Sequence, residues 1–228
     1  NYFGLIEDAA ALTAAVHAAG AKAIASCNPI PLGLMETPAQ AGADIAVGEG
    51  QPLGMPLSFG GPYLGFMACT QELMRKLPGR IVGQTTDSQG KRGYVLTLQA
   101  REQHIRREKA SSNICSNEAL CALTASVYLS AMGPRGLAQA ATLCCSKAHY
   151  LQQALAAAGL EPVYAGEFFH EFVTRCPVEP GKLLAHLEAA GYLGGLPLAD
   201  GSLLWCATEL NTKEEMDALA ALVKEVLC

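Results

Sequence analysis

Apolar residues recur at helical spacing over residues 8–20, an alanine-rich stretch that ends at Gly20, and over residues 117–132, where Gly133-Pro134 stops the pattern. A second long helix is predicted from about residue 135 to 158, ending at Gly159. Short apolar runs at 22–26, 43–47 and 66–69 have the length and flanks of buried strands, and residues 94–98 alternate as a strand does. Residues 36–42 and 71–77 suit short helices; 28–31 form a loop and 87–93 a polar turn. Beyond residue 159 strands are expected at 161–164, 171–175 and 203–208, with helices at 182–190 and 213–227. The last helix opens on a Thr212 cap with Glu214 and Glu215 in its first turn.

Strands joined by helical stretches predict a largely parallel sheet, at least in part, so the chain reads as α/β. The later elements form a compact α+β unit. The expected division is 1–133 for the larger part with its linking helix and 134–228 for the smaller. The first part holds few strands for a complete wound sheet, and the expectation is the C-terminal portion of a longer polypeptide, whose uncovered apolar edges would favour self-association. Half of the 228 residues are hydrophobic and aromatics are few, which favours α/β packing. A net charge of −5 offers no general attraction to nucleic acid or acidic membranes. The apolar run 119–132 is too short and polar to span a bilayer. Nine cysteines show no zinc-type spacing with histidine and read as reduced, buried thiols of a cytoplasmic protein; no metal site is expected.

The densest punctuation is Gly48-Glu49-Gly50-Gln51-Pro52-Leu53-Gly54, continuing to Ser58-Phe59-Gly60-Gly61-Pro62-Tyr63-Leu64-Gly65. Six glycines and three prolines in residues 48–65, between two apolar strands, describe a loop of tight turns and close approaches. It serves either as simple turns between core strands or as a surface that meets a partner; the two are compatible.

The order of strand, loop, Gly42-Ala43-Asp44 strand, glycine loop, strand, long helix and small α+β domain resembles the second half of a fold-type-I pyridoxal-phosphate enzyme of the aspartate aminotransferase class. That resemblance implies an Asp on the 22–26 strand to hold the pyridinium nitrogen protonated, and a Schiff-base Lys in the segment after Asp44. Neither is present. The strand reads Ala23-Ile24-Ala25-Ser26-Cys27-Asn28, and Gln51 stands about where the lysine would be. A fold-type-I enzyme working alone, a transaminase or cysteine desulfurase, is therefore disfavoured.

The glycine-loop motifs, together with Leu96-Thr97-Leu98-Gln99-Ala100-Arg101-Glu102-Gln103-His104-Ile105-Arg106-Arg107-Glu108-Lys109-Ala110-Ser111-Ser112-Asn113-Ile114-Cys115, resemble the glycine-cleavage-system P-protein. Within that family they resemble subunit 1 of the split bacterial form, glycine dehydrogenase (decarboxylating), whose C-terminal portion the chain looks like. The resemblance implies decarboxylation of glycine on pyridoxal phosphate and transfer of the aminomethyl group to the lipoyl arm of H-protein. It also implies that the cofactor is held covalently by subunit 2, in a heterotetramer. The alternative is a non-catalytic subunit that supports a pyridoxal-phosphate-bearing partner. Glu108-Lys109-Ala110-Ser111-Ser112-Asn113 resembles a stretch whose hydroxyl reaches the cofactor phosphate of a partner subunit, so Ser111, Ser112 and Asn113 read either as such donors or as ordinary helix capping. The charge run is read as a solvated face at Arg106 and Lys109. Arg101 and His104, inside the family motif, are the candidates for facing the partner's cofactor.

Overall fold

The computed structural model describes residues 1–61, 63–78, 81–98, 102–110 and 117–227. The chain divides into two compact units, Thr13–Asn28 with Pro38–Tyr128, and Asn1–Leu12 with Pro29–Thr37 and Leu129–Cys228. Each is assembled from separated stretches of sequence. Helix α1 (Ala9–Ala18) runs across the division, and its chain turns out of the helix through Gly20 at φ +74°.

In the first unit a three-stranded sheet has the order β1 (Ile24–Ser26), β2 (Ile45–Glu49), β3 (Gly65–Cys69). β1 and β2 are parallel, Ile24 opposite Ile45 and Ser26 opposite Val47. β3 is antiparallel to β2, Ile45 opposite Cys69 and Glu49 opposite Gly65. The parallel arrangement expected from the sequence thus holds for one pair and reverses for the other, because the glycine loop is a long hairpin connection and not a crossover. A separate two-stranded ribbon pairs β4 (Ile81–Thr86) with β5 (Arg92–Thr97). Its turn is held by Asp87, whose carboxylate accepts from the N–H groups of Gln89 (2.8 Å) and Lys91 (2.9 Å). The expected helix at 36–42 is instead a series of turns around Pro38, which has no N–H to give a helix, and the one expected at 71–77 is a 3₁₀ helix over Gln71–Lys76. Helix α2 (Gln103–Arg106) is a single turn.

Helix α3 (Ala119–Ala157) crosses from the first unit to the second and is interrupted at Gly133, where φ +62° and ψ 179° break the helical path at the site marked by Gly133-Pro134. In the second unit β6 (Glu171–Thr174), β8 (Leu203–Cys206) and β7 (Leu196–Pro197) form an antiparallel sheet in the order β6-β8-β7. The strand expected at 161–164 is reduced to a bridge between Pro162 and Thr174, since proline cannot donate to a ladder. Helices α4 (Pro180–Ala189) and α5 (Lys213–Leu227) complete the unit. Met216, Leu219 and Val223 on α5 fall at helical spacing and are buried. The core also takes in Leu155, Leu160, Leu183, Leu187, Leu203 and Phe172. Trp205 Nε1 donates to the buried Thr174 hydroxyl at 2.9 Å, so the largest apolar side chain enters the core with its polar atom satisfied.

The predicted cap of α5 is a reciprocal capping box: Thr212 Oγ1 accepts from the Glu215 N–H (3.2 Å) while the Glu215 carboxylate accepts from the Thr212 N–H (2.8 Å). At α4, Glu179 accepts from the N–H groups of Gly181 and Lys182. Among the described residues no helix is long and apolar enough to cross a membrane. The described cysteines are free thiols, but less buried than the sequence reading has them: Cys144 is buried, Cys206 is exposed and the others are half-buried.

Candidate functional site

Because β1 and β2 are parallel, their carboxyl ends share one edge of the sheet, the edge at which open α/β sheets receive ligands. Two segments leave this edge: the chain after Ser26, beginning at Cys27, and the glycine loop after Glu49. They are pressed together. The Cys27 N–H donates to the Val47 carbonyl at 2.9 Å, and a Cβ on Gly48 would lie 2.2 Å from the Cys27 carbonyl oxygen and 2.4 Å from the Phe66 ring. Only glycine fits there. At Gly54, φ is +87° and a Cβ would meet the Tyr128 side chain at 2.9 Å, so this turn also requires glycine.

The polar side chains of the loop are engaged in closing it. The Glu49 carboxylate accepts from the Leu64 N–H (2.7 Å) and the Gln51 N–H (3.1 Å), and the Gly50 N–H donates to the Leu64 carbonyl (2.6 Å). Together these bonds tie the two ends of the loop at its neck. The half-buried Gln51 side chain donates from Nε2 to the Met55 carbonyl at 2.6 Å. The apex projects outward: Leu57 is largely and Phe59 fully exposed, with Ser58 and Phe59 at positive φ (45° and 54°). Tyr63 Oη donates to the Leu57 carbonyl and braces the apex from within.

A covalently held pyridoxal phosphate needs an imine-forming lysine, which the resemblance to fold-type-I enzymes would put in this loop, with an acid on β1. The residues present do not fit it. Gln51 is an amide bonded to Met55. The end of β1 offers the thiol of Cys27, which burial keeps protonated by raising its pKa. Asp44 precedes β2, at the opposite end of that strand, and is fully engaged: His17 Nε2 lies at 2.8 Å, the Ala23 N–H donates at 2.9 Å and Lys22 Nζ at 3.0 Å. The His17 contact, then the Ala23 N–H, then Lys22 hold its carboxyl well below the usual carboxylate range. Asp44 thus clamps α1 and the β1 entry to β2. The lysines are likewise placed elsewhere. Lys22 is on Asp44, Lys147 donates to the Glu209 carbonyl, Lys213 pairs with Asp217, and Lys76, Lys91, Lys109, Lys182 and Lys224 are exposed on helices, turns and loops.

Of the residues singled out from the sequence, His104 sits on the one-turn helix α2 with its side chain exposed. Arg101, Ser111, Ser112 and Asn113 lie outside the described residues. Arg106 and Lys109 are exposed, as a solvated charge run requires. The aromatics Phe168, Phe169, Phe172 and Trp205 are buried in the second unit. Two polar groupings in that unit were not anticipated. Cys144 Sγ donates to the Glu209 carboxylate at 3.2 Å, and burial, then that contact, push its thiol up to about 12. His170, Glu171 and Cys206 bring their ligand atoms within 4.8 Å of one another. Residues 170 and 206 are far apart in sequence, and only the β6–β8 register could have revealed the second grouping.

The family model for the glycine cleavage system P-protein matches residues 1–223. The chain is 55% identical to "Probable glycine dehydrogenase (decarboxylating) subunit 1" of Moorella thermoacetica, over 100% of this chain and 53% of that protein. It is 50% identical to the protein of the same description from Thermomicrobium roseum, over 99% of this chain and 52% of that one. Its structure is similar to that of a glycine decarboxylase (P-protein) of the glycine cleavage system in inhibitor-bound form, with a TM-score of 0.94 and 43% identity over 99% of this chain and 53% of that chain. An aspartate aminotransferase from Thermus thermophilus, 17% identical with a TM-score of 0.66 over 99% of this chain and 61% of that one, shares the fold alone. The chain spans about half the length of the curated relatives it matches. A match that runs from the first residue to within a few of the last, together with this identity, places the chain in the glycine cleavage system P-protein family.

Proposed function

We propose that this chain is the C-terminal portion of the first subunit of a two-subunit P-protein. With the second subunit it decarboxylates glycine and passes the aminomethyl group to the lipoyl arm of H-protein. The second subunit carries the pyridoxal phosphate in covalent linkage; this chain by itself is inactive. The assembly is a cytoplasmic heterotetramer, and residues 1–133 and 134–228 act as the end of a large domain and a small domain.

The observation that carries this reading is Gln51, an amide bonded to Met55 in the loop where a self-sufficient enzyme of this fold would hold its lysine. Exposed apolar side chains in the first unit support an associated state: Val82, Tyr94 and Val95 on the β4–β5 ribbon, and Leu120, Leu123 and Val127 on α3. To Arg101, His104, Ser111, Ser112 and Asn113 we assign the role of binding toward the partner's cofactor. The test is glycine-dependent release and exchange of carbon dioxide with lipoylated H-protein. Activity from the co-expressed subunits and none from this chain alone supports the proposal; turnover by this chain alone rejects it.

A second reading, a subunit that only supports its partner, is favoured by the engagement of both Glu49 and Gln51 in closing the loop. Ser111→Ala in the assembled enzyme separates the two. Weakened cofactor affinity and slowed turnover assign Ser111 to the cofactor, and unchanged values leave a supporting role.

A further inference from the structure

β6 and β8 pair with Glu171 opposite Cys206, so the two side chains leave the sheet on one face as direct cross-strand neighbours. His170 immediately precedes β6. Its carbonyl accepts from the Ala207 N–H at 3.0 Å, and the Phe169 ring packs edge-on against its imidazole with centroids 4.8 Å apart. Backbone pairing on one side and an aromatic wall on the other thus fix where the imidazole stands. A ring nitrogen and a carboxylate oxygen from two consecutive residues, and a thiol sulfur from a strand distant in sequence, converge within 4.8 Å.

The side chains of Asp44, Glu49, Gln51 and Glu209 are each hydrogen-bonded within the protein. Among the described residues no hydrogen bond takes up the side chains of His170, Glu171 or Cys206. One nitrogen, one oxygen and one sulfur ligand make a borderline-soft set, suited to zinc and poorly suited to the all-oxygen preferences of magnesium or calcium. Three protein ligands leave one tetrahedral position. Glu171 and Cys206 also line a cavity of about 380 Å³, with Asn211 and Glu215 in its wall, which gives water room to fill that position.

We propose that His170, Glu171 and Cys206 form a binding site for a zinc-class divalent ion that bridges β6 to β8. On ligation the Cys206 thiol gives up its proton to solvent and the ion takes its place. The site does not depend on the function proposed above, and its readout is metal content.

The full chain is stripped with a chelator and dialysed against zinc chloride, and bound metal is counted; cobalt(II) replaces zinc for absorption spectroscopy. Expected are one zinc per chain and a thiolate-to-cobalt charge-transfer absorption. Cys206→Ser abolishes that absorption. Cys206→Ser, His170→Gln and Glu171→Gln each weaken zinc binding, on the order of tenfold or more, while Cys69→Ser leaves it unchanged. Thermal melts with and without zinc are run in parallel: zinc raises the transition of the parent chain and of Cys69→Ser more than that of any ligand variant. Each of the three variants removes one ligand, so the reading survives the misfolding of any one. The proposal is overturned by zinc well below one per chain at saturation. It is equally overturned by zinc and cobalt spectra that persist in the ligand variants, or that are lost in Cys144→Ser and not in Cys206→Ser.

Discussion

The side-chain amide of Gln51 donates to the main-chain carbonyl of Met55, four residues on, at 2.6 Å. The bond makes a structural staple of the position at which the resemblance to fold-type-I pyridoxal enzymes would put a reactive lysine. Gln51→Lys should therefore leave the chain unable to hold the cofactor, because the end of β1 still lacks an acid. It should also lower stability by about 1 kcal/mol through the lost hydrogen bond. Absorption after removal of unbound pyridoxal phosphate reads the first outcome and equilibrium denaturation the second.

Gly48 and Gly65 differ in what surrounds them. A Cβ on Gly48 collides with the Cys27 carbonyl and the Phe66 ring, whereas one on Gly65 meets nothing within 4 Å. Gly48→Ala should cost about 1–3 kcal/mol by forcing β1, β2 and β3 apart. Gly65→Ala, in a strand with ordinary backbone geometry, should stay within about 0.5 kcal/mol of the parent. Paired urea titrations of the two variants measure the difference.

In the second unit, Trp205→Phe removes the donor to the Thr174 hydroxyl and leaves that fully buried group unbonded. The expected loss is about 1–3 kcal/mol. Adding Thr174→Val removes the orphaned hydroxyl, so the double variant should be more stable than the sum of the two single losses. A double-mutant cycle of unfolding free energies checks this non-additivity.

Asp44 sets the acid limit of the first unit. Its contacts with His17, the Ala23 N–H and Lys22 depress its folded pKa below the unfolded value. The stability they supply is therefore fully present above the unfolded carboxylate pKa of about 4 and is lost as pH falls below that toward the folded pKa. Asp44→Asn should lower stability at pH 7 and flatten the acid limb below about pH 4. Unfolding followed across that pH range in both proteins provides the comparison.

Much of this was legible from local chemistry. The Gly133-Pro134 interruption of α3, the Thr212 cap of α5 and the glycine loop between β2 and β3 all follow from residues whose conformational demands act over a few positions. What escaped depended on pairing. β4 acquires its strand character from β5, and residues 161–164 lose theirs to Pro162. The convergence of His170, Glu171 and Cys206 is produced by sheet register, which no spacing rule encodes. At the loop, the residue types alone excluded a Schiff base. That Glu49 and Gln51 close the loop needed their partners Leu64 and Met55 to be located.

Borohydride reduction of the co-purified subunits in the presence of pyridoxal phosphate, followed by peptide mapping by mass spectrometry, tests most directly where the cofactor is bonded. The expected result is a reduced pyridoxyl-lysine on the partner and none on this chain. A stoichiometric pyridoxyl adduct on any lysine between Lys22 and Lys224 would contradict the assignment of the cofactor to the partner.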